Sequence, residues 1–476
     1  METTPSDAIA LGVTFLRAGK LDGAANVFAQ VLEHFPDHPD ALHFAGILKV
    51  RQGDTVGGIA LVRRSVALAP ANAGAWNNLG NLLMREERTA EAAEAYRQCL
   101  AHAHAHPEAL SNLGLLMRIK GDIAAAEDHY HRALAVRPDF PEALNNLGAI
   151  ALARGDLAAA EAHLARAVAL EPTFSGARLN LGEVLTRQGR LREAAANFWE
   201  QLASGNGEGV AYKLLVYALV ETGRRDEAVA VARRWLAEAP EDPAARHHLA
   251  ALTGEDAPAR ADDAYVEEVF DRFAETFEAA LGRLDYRAPA LVGAAVADLL
   301  PAPDGGLAIL DAGCGTGLCA PLLKPYATRL DGMDLSAGML EKAAARGLYD
   351  RLDKAEITAG MEGRPLAYDL IACADTLCYF GDLAFVLTAA ATALRPGGRL
   401  IFTVEALEAP DDATPDAPAF RLHPGHGRYA HTAAHVRAVA DTVGLHVELM
   451  RKEELRKEGA MPVDGFLVAC RRPAEA

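Results

Sequence analysis

Apolar and polar positions in the first half of the chain follow one register that repeats every 34 residues without an insertion. Gly12, Gly46, Gly80, Gly114, Gly148 and Gly182 fall on it, and Val216 takes the seventh place. A second series consists of Ala24, Gly58, Ala92, Ala126, Ala160, Ala194 and Ala228. A third closes each unit with Pro36, Pro70, Pro138, Pro172 and Pro240, and is broken by His104 and Asn206. Small residues in the first two series let antiparallel helices approach closely, and the proline ends the second helix because it lacks the N–H that would continue the ladder. Bulky residues such as Trp76, Leu79 and Tyr96, or Leu144, Leu147 and Leu164, fill the remaining contact. Each unit is predicted to be a helical hairpin that buries its face only by stacking on its neighbours. Seven copies begin near Pro5, Pro39, Ala73, Pro107, Pro141, Ser175 and Gly209, and a half-unit from Pro243 caps the stack. Ser204-Gly205-Asn206-Gly207 and Val216 predict a looser junction between the sixth and seventh copies.

Residues 253–263 are charged and contain Pro and Gly, which reads as a linker. An amphipathic helix follows, carrying Tyr265, Val269, Phe270, Phe273 and Phe277 at helical spacing. Beyond it, short apolar runs alternate with helices: Leu307–Leu310, Leu330–Met333, Leu370–Ala374 and Leu400–Val404 are predicted strands. This alternation predicts a doubly wound α/β sheet.

Composition narrows the function classes. A net charge of −18, from 47 Lys+Arg against 65 Asp+Glu, disfavours a nucleic-acid backbone as partner. The first residues lack a basic stretch followed by an apolar one, and no run of about 18 uncharged apolar residues occurs, so neither a secretory signal nor a membrane span is expected. Six cysteines in 476 residues are too few for a disulfide framework. The expectation is a cytoplasmic protein with reduced thiols.

The 34-residue pattern resembles the tetratricopeptide repeat, over roughly residues 5–252. That resemblance implies an α-solenoid, a superhelix whose first helices line a concave groove. Asn78, Asn112, Asn146 and Asn180 recur on those helices, two residues before each Gly, and resemble an asparagine ladder that grips the backbone of an extended peptide. An amide both donates and accepts, which suits a peptide bond whatever the guest's sequence. A ladder that only joins one repeat to the next is the alternative.

The first strand ends in Asp311-Ala312-Gly313-Cys314-Gly315-Thr316-Gly317, where glycines let backbone approach a ligand at the carboxyl end of a strand. A dinucleotide fingerprint would need a small residue at position 318, which is Leu318, and a phosphate-loop Gly-Lys-Ser/Thr is absent. Asp311-x-Gly-x-Gly-x-Gly instead resembles motif I of class I S-adenosylmethionine-dependent methyltransferases. Gly332-Met333-Asp334-Leu335-Ser336, Asp369-Leu370-Ile371 and Leu394-Arg395-Pro396-Gly397-Gly398 match later motifs in order. Phe270-Asp271-Arg272-Phe273-Ala274, Asp375-Thr376-Leu377-Cys378-Tyr379-Phe380-Gly381-Asp382 and Gly427-Arg428-Tyr429-Ala430-His431-Thr432 suggest the group of methyltransferases fused to tetratricopeptide repeats. The resemblance implies a repeat domain over 5–252 and a Rossmann-like methyltransferase domain over 263–476 that binds S-adenosyl-L-methionine.

Carried over motif by motif, Asp311, Gly313, Cys314, Gly315 and Gly317 are expected around the methionine end and ribose. Asp334 is expected on the ribose hydroxyls and Leu335 beside the adenine. Glu356 is a candidate for the adenine amine or, equally, a solvated loop carboxylate. Asp375 and Tyr379, after the fourth strand, are candidates for the methyl-transfer face, against a helix cap and simple packing. His431 is a candidate general base and Tyr429 an acceptor contact, against a surface histidine at a helix start. The spacing of His423, His426, His431 and His435 matches no metal motif. The sequence therefore predicts a methyltransferase whose repeat arm recruits or orients a protein or peptide acceptor. Its rivals are a small-molecule methyltransferase whose repeats serve assembly, and a scaffold without catalysis.

Overall fold

A computed structural model describes residues 4–205, 209–255, 257–274, 277–282, 284–408, 419–458 and 461–474. The chain divides into two compact units, Met1–Asn206 and Gly207–Ala476. The division falls ahead of the seventh repeat, not at the 253–263 linker. The looser junction predicted between the sixth and seventh copies falls on Asn206 and Gly207, which lie outside the described residues.

The first unit is a row of antiparallel helix pairs, beginning with Pro5–Arg17 and Leu21–His34 and ending with Ser175–Arg187 and Leu191–Ala203. Helices start where the period places them. Proline occupies the first turn at Pro5, Pro39, Pro107 and Pro141, and the side chains of Asn72, Asp122 and Asp156 cap helix N-termini by accepting a backbone N–H. The periodic glycine makes room for a bulky residue of the second helix. A Cβ at Gly80 would lie 2.4 Å from the Tyr96 ring, and one at Gly182 2.3 Å from Phe198. Ala24, Ala92, Ala126, Ala160 and Ala194 are fully buried, so any larger side chain there would push the pair apart.

The second unit opens with three more repeat helices, Gly209–Glu221, Arg225–Glu238 and Pro243–Thr253. Two helices follow, Asp263–Phe273 and Phe277–Leu281, where the apolar spacing predicts one. The break brings the Phe270 and Phe277 rings to 6.0 Å, whereas seven residues of a continuous helix would rise about 10 Å.

The remainder, from the helix Ala288–Leu299 onward, is an α/β sheet of nine described strands: β1 (Leu307–Ala312), β2 (Ala327–Asp334), β3 (Arg351–Lys354), β4 (Tyr368–Cys373), β5 (Leu394–Ala406), β6 (Phe420–Leu422), β7 (Tyr429–His431), β8 (His446–Glu458) and β9 (Met461–Arg471). β3, β2, β1, β4 and β5 lie side by side and parallel. Most of the far edge of β5 pairs antiparallel with β9, which in turn pairs with β8. The last two residues of β5 also pair with β7, part of the small β6–β7 insertion. The alternation of the strands sorts the core into two layers. Ile309, Leu330, Leu370, Ile401 and Leu467 pack with Val292 and Leu323 on one face, and Leu310, Ile371, Phe402 and Val468 pack with Leu387 and Val436 on the other. Burial on both faces is why the central strands read as continuous apolar runs. The reversal of strand order beside β1 leaves the carboxyl ends of β1, β2 and β4 as the place where such a sheet binds ligands.

Candidate active site

β1 delivers Asp311 and then turns sharply. Gly313, Gly315 and Gly317 all have left-handed backbone, with φ of +71°, +52° and +83°. The N–H groups of Gly313 and Cys314 both donate to the Met333 carbonyl at the end of β2, at 2.8 and 2.9 Å, which ties the turn to its neighbouring strand. A Cβ on Gly313 would lie 2.2 Å from Thr376 Oγ1, while the space over Gly315 is empty to 4 Å. The hydroxyl of Thr316 is buried and has no hydrogen-bond partner among the described residues.

Asp334 faces this turn from the end of β2. One of its oxygens accepts from the Gly315 N–H and the other from the Ser336 N–H, both at 2.9 Å. Burial raises its carboxyl above the ordinary aspartate range in spite of these amide bonds. Beneath the turn, Tyr349 donates its hydroxyl to Asp311 Oδ2 at 2.6 Å. Burial pushes the Asp311 carboxyl up to about 7, against that hydrogen bond. Leu335 is partly exposed beside Asp334. Glu356 caps the helix Ile357–Glu362, accepting from Thr358 N–H at 3.0 Å and Ala359 N–H at 2.9 Å. Cys314 is buried and its thiol is pushed far above the usual range by burial.

Asp375 follows β4 with φ +53°, its N–H donating to Thr403 Oγ1 at 2.8 Å. Its two carboxylate oxygens accept from Arg456 Nη1 at 2.8 and 2.9 Å. The other arm of that guanidinium donates to Glu405, which also accepts from Arg428 Nε at 2.6 Å. Burial alone would raise Glu405, but the two guanidiniums overcome it and hold the group down at about 2. Asp375 shifts the other way: burial raises its carboxyl even with Arg456 beside it. The result is a buried chain of alternating charge, Asp375–Arg456–Glu405–Arg428, across the ends of β4, β5 and β8. Within it, the Arg456 side chain is only 4% exposed. Removing Arg456 leaves the Asp375 carboxylate without its ion-pair partner beside Glu405, so Arg456→Met is expected to cost about 3–5 kcal/mol of stability. Urea denaturation of the full chain checks this, and Arg456→Met combined with Asp375→Asn and Glu405→Gln should recover part of the loss.

The segment after β5 differs from its expected role. His431 is fully buried, its Nε2 bonded to the Phe380 carbonyl at 2.9 Å, and burial lowers its pKa to about 4. It is a neutral ring packed beside His435 and Phe420 rather than a surface base. Tyr429 is equally buried and donates its hydroxyl to the Pro258 carbonyl at 2.7 Å, so it fixes the linker in place of touching an acceptor. Both were candidates because they sit in a polar stretch after β5; pairing of β6 with β7 turns them inward. Tyr379 is partly exposed, edge-on to Phe270 at 5.7 Å.

Sequence reasoning missed Tyr349, Arg456, Glu405 and Arg428. Each meets its partner across 23 to 81 residues of chain, and only Arg428 lies in a motif segment, Gly427–Thr432, where it carries no assigned role.

In the first unit, three of the asparagines, Asn78, Asn112 and Asn180, join repeat to repeat. Asn78 Nδ2 meets His43 Nε2 at 2.9 Å, Asn112 Nδ2 donates to Asn81 Oδ1 at 2.9 Å, and Asn180 Nδ2 donates to Asn145 Oδ1 at 2.9 Å. The four residues Asn78, Asn112, Asn146 and Asn180 are half-buried. A primary amide has two N–H groups and a carbonyl with two lone pairs, so these bonds leave acceptor capacity in each side chain.

Residues 284–456 match a methyltransferase domain family, and tetratricopeptide repeat families match 9–73, 45–109, 77–129, 151–197 and 209–252. The chain thus joins tetratricopeptide repeats to a methyltransferase domain. Among curated relatives, it is 43% identical over 97 residues to methyltransferase-like protein 27 of Homo sapiens, covering 20% of this chain and 39% of that one. It is 30% identical over 99 residues to the ubiquinone biosynthesis O-methyltransferase of Serratia proteamaculans (strain 568), covering 20% and 41%. The chain thus spans about two fifths of the length of the curated relatives it matches. Of solved structures, the APC/C hetero-tetramer Cut9-Hcn1 is similar with a TM-score of 0.42 at 20% identity, over 46% of this chain and 43% of that one. Among the described residues no helix is long and apolar enough to cross a membrane.

Proposed function

We propose that the chain is an S-adenosylmethionine-dependent methyltransferase whose repeat array recruits or orients a protein or peptide acceptor. The observation that carries the cofactor reading is the left-handed turn at Gly313 and Gly315 set against the Asp334 carboxylate. The empty space over Gly315 and the unpartnered Thr316 hydroxyl fit a polar ligand lying on the turn. Asp311, Gly313, Cys314, Gly315 and Gly317 would line its methionine and ribose end. Asp334 would accept the ribose hydroxyls, using lone pairs its two amide bonds leave open. Leu335 would flank the adenine. Glu356 would accept the adenine amine while still capping its helix, since each oxygen accepts only one backbone bond.

The sulfonium cofactor supplies a methyl group already activated for displacement. What remains for the protein is to align the acceptor and exclude water from it. Asp375 and Tyr379, at the end of β4, are the proposed wall for this alignment. Arg456 holds the Asp375 carboxylate in one orientation, which suits a group that positions an acceptor N–H or O–H. The asparagine series is the proposed grip on an extended peptide.

The test uses the full chain, a cell extract and donor carrying a radioactive methyl group. Label is expected on macromolecules, and to fall about tenfold when Asn78, Asn112, Asn146 and Asn180 are changed to Ala together, the equivalent of about 1.4 kcal/mol of lost grip. S-adenosylhomocysteine affinity should stay as in the wild type, which separates lost recruitment from a damaged enzyme. Label confined to small products would replace the protein acceptor with a metabolite. Binding of S-adenosylhomocysteine without any labelling would point to the non-catalytic scaffold.

A further inference from the structure

The family-matched region begins at residue 284, yet the walls around the glycine turn are held from outside it. On the helix Pro243–Thr253, the last of the repeats, His247 is buried and its Nε2 bonds the Gly427 carbonyl at 2.7 Å. Burial lowers its pKa, so the ring is neutral and Nε2–H donates. The same ring stacks on Tyr265 at 4.5 Å and meets Tyr429 edge-on at 6.3 Å. Tyr429 in turn holds the Pro258 carbonyl.

From Pro258 the linker runs as a short strand beside the loop that carries Tyr379. Ala259 O accepts from the Gly381 and Asp382 N–H groups, both at 2.8 Å, Arg260 forms a β-bridge with Phe380, and Ala261 N–H donates to Tyr379 O at 2.8 Å. The helix Asp263–Phe273 then crosses the other strand ends. Phe270 meets Tyr379, Glu267 pairs with Lys354 at 2.6 Å at the end of β3, and Asp271 accepts from Ser336 Oγ at 2.5 Å and Gly338 N–H at 3.2 Å after β2. Ser336 itself donates its N–H to Asp334. One continuous path therefore runs from the last repeat helix to both loops that flank the glycine turn.

We infer that His247 is a positioning residue for the methyl-transfer site: through the segment Pro258–Asp271 it holds the Tyr379 loop and the Asp334–Gly338 loop in their binding arrangement. The last repeat helix is then part of the enzyme's site and not only of its recruiting arm. This rests on the cofactor reading above. The hydrogen bond and the ring stack act together, because deleting the imidazole both opens a void beside Tyr265 and orphans the Gly427 carbonyl.

The test compares His247→Ala and His247→Gln with the wild type in the full chain; a glutamine amide can donate from nearly the position of Nε2. Two measurements are made: hydrogen exchange of the unliganded chain, and S-adenosylhomocysteine affinity by calorimetry. His247→Ala should speed exchange at Ala261, Gly381, Asp382 and Gly338 and weaken the affinity about tenfold, with His247→Gln recovering to within about twofold, as one restored hydrogen bond would give. His43→Ala removes a comparably buried histidine from the first unit and should leave the affinity unchanged. Unchanged exchange at those four amides, or wild-type affinity in His247→Ala, overturns the inference; so does an equal loss of affinity in His43→Ala. If the wild type fails to bind S-adenosylhomocysteine while His247→Ala still speeds exchange, the cofactor reading falls and the mechanical coupling stands.

Discussion

In the Asp334→Ala variant, S-adenosylhomocysteine no longer raises the melting temperature of the full chain, whereas the wild type gains several degrees at saturating ligand. Asp334 faces the glycine turn, and its two oxygens accept from the backbone amides of Gly315 in the turn and Ser336 after β2. A ligand with two vicinal hydroxyls adds two bonds to a charged acceptor, each worth about 1.5–3 kcal/mol, so their loss weakens binding about 100-fold or more. Ligand-induced stabilisation follows the logarithm of concentration over dissociation constant, so such a loss removes most of the thermal shift at accessible ligand concentrations. Asp334→Asn separates charge from shape: it retains an oxygen for the Gly315 or Ser336 amide and should keep the unliganded melting temperature closer to wild type, while still binding poorly. A full thermal shift in Asp334→Ala would remove the ribose assignment.

The second large effect distinguishes two glycines of one turn. Gly315→Ala is expected to fold with a loss of about 1–2 kcal/mol, the cost of left-handed backbone for a residue with a Cβ, because nothing lies within 4 Å of the added methyl. It should nevertheless bind S-adenosylhomocysteine far more weakly, since the methyl enters the space assigned to the ligand. Gly313→Ala meets the same backbone penalty and also drives its methyl to 2.2 Å from Thr376 Oγ1, which adds about 1–3 kcal/mol of overpacking. Denaturant melts and calorimetry on the two variants should therefore rank them oppositely: Gly313→Ala worse in stability, Gly315→Ala disproportionately worse in binding. Equal behaviour in both would mean that the open side of Gly315 is not where ligand lies.

Most of the architecture was legible because it depends on short-range rules. The helix starts at Pro39, Ala73, Pro107, Pro141 and Ser175 are those the 34-residue period predicts, since each proline or cap acts within one turn. The predicted strands at Leu307–Leu310, Leu330–Met333 and Leu400–Val404 fall inside β1, β2 and β5, because a strand buried on both faces must be apolar throughout. What escaped depends on register. Arg456 meets Asp375 where β8 shifts its pairing with β9 between Glu454 and Arg456, and nothing local in Glu454-Leu455-Arg456 announces that. His431 looked like a reactive side chain for the converse reason. Its polar neighbourhood in sequence becomes a closed interior once β7 pairs with both β5 and β6. The asparagine series was legible as a periodic feature, but its hydrogen bonds to His43, Asn81 and Asn145 required positions one helix pair earlier.

The strand-like run of the linker against residues 379–382 bears on how such a chain can be cut and rejoined. Exchange of the solenoid for another, by recombination or by design, at residues 253–263 would tear out Ala259 and Ala261 and discard the imidazole behind them, leaving the loop at residues 379–382 without its backing. A crossover at the Asn206/Gly207 seam would carry the seventh hairpin along with the sheet. Arrays of different length and lining can then be inherited ahead of that seam while the methyltransferase domain keeps its own fitted post, so changes in the array need not disturb the sheet's loops.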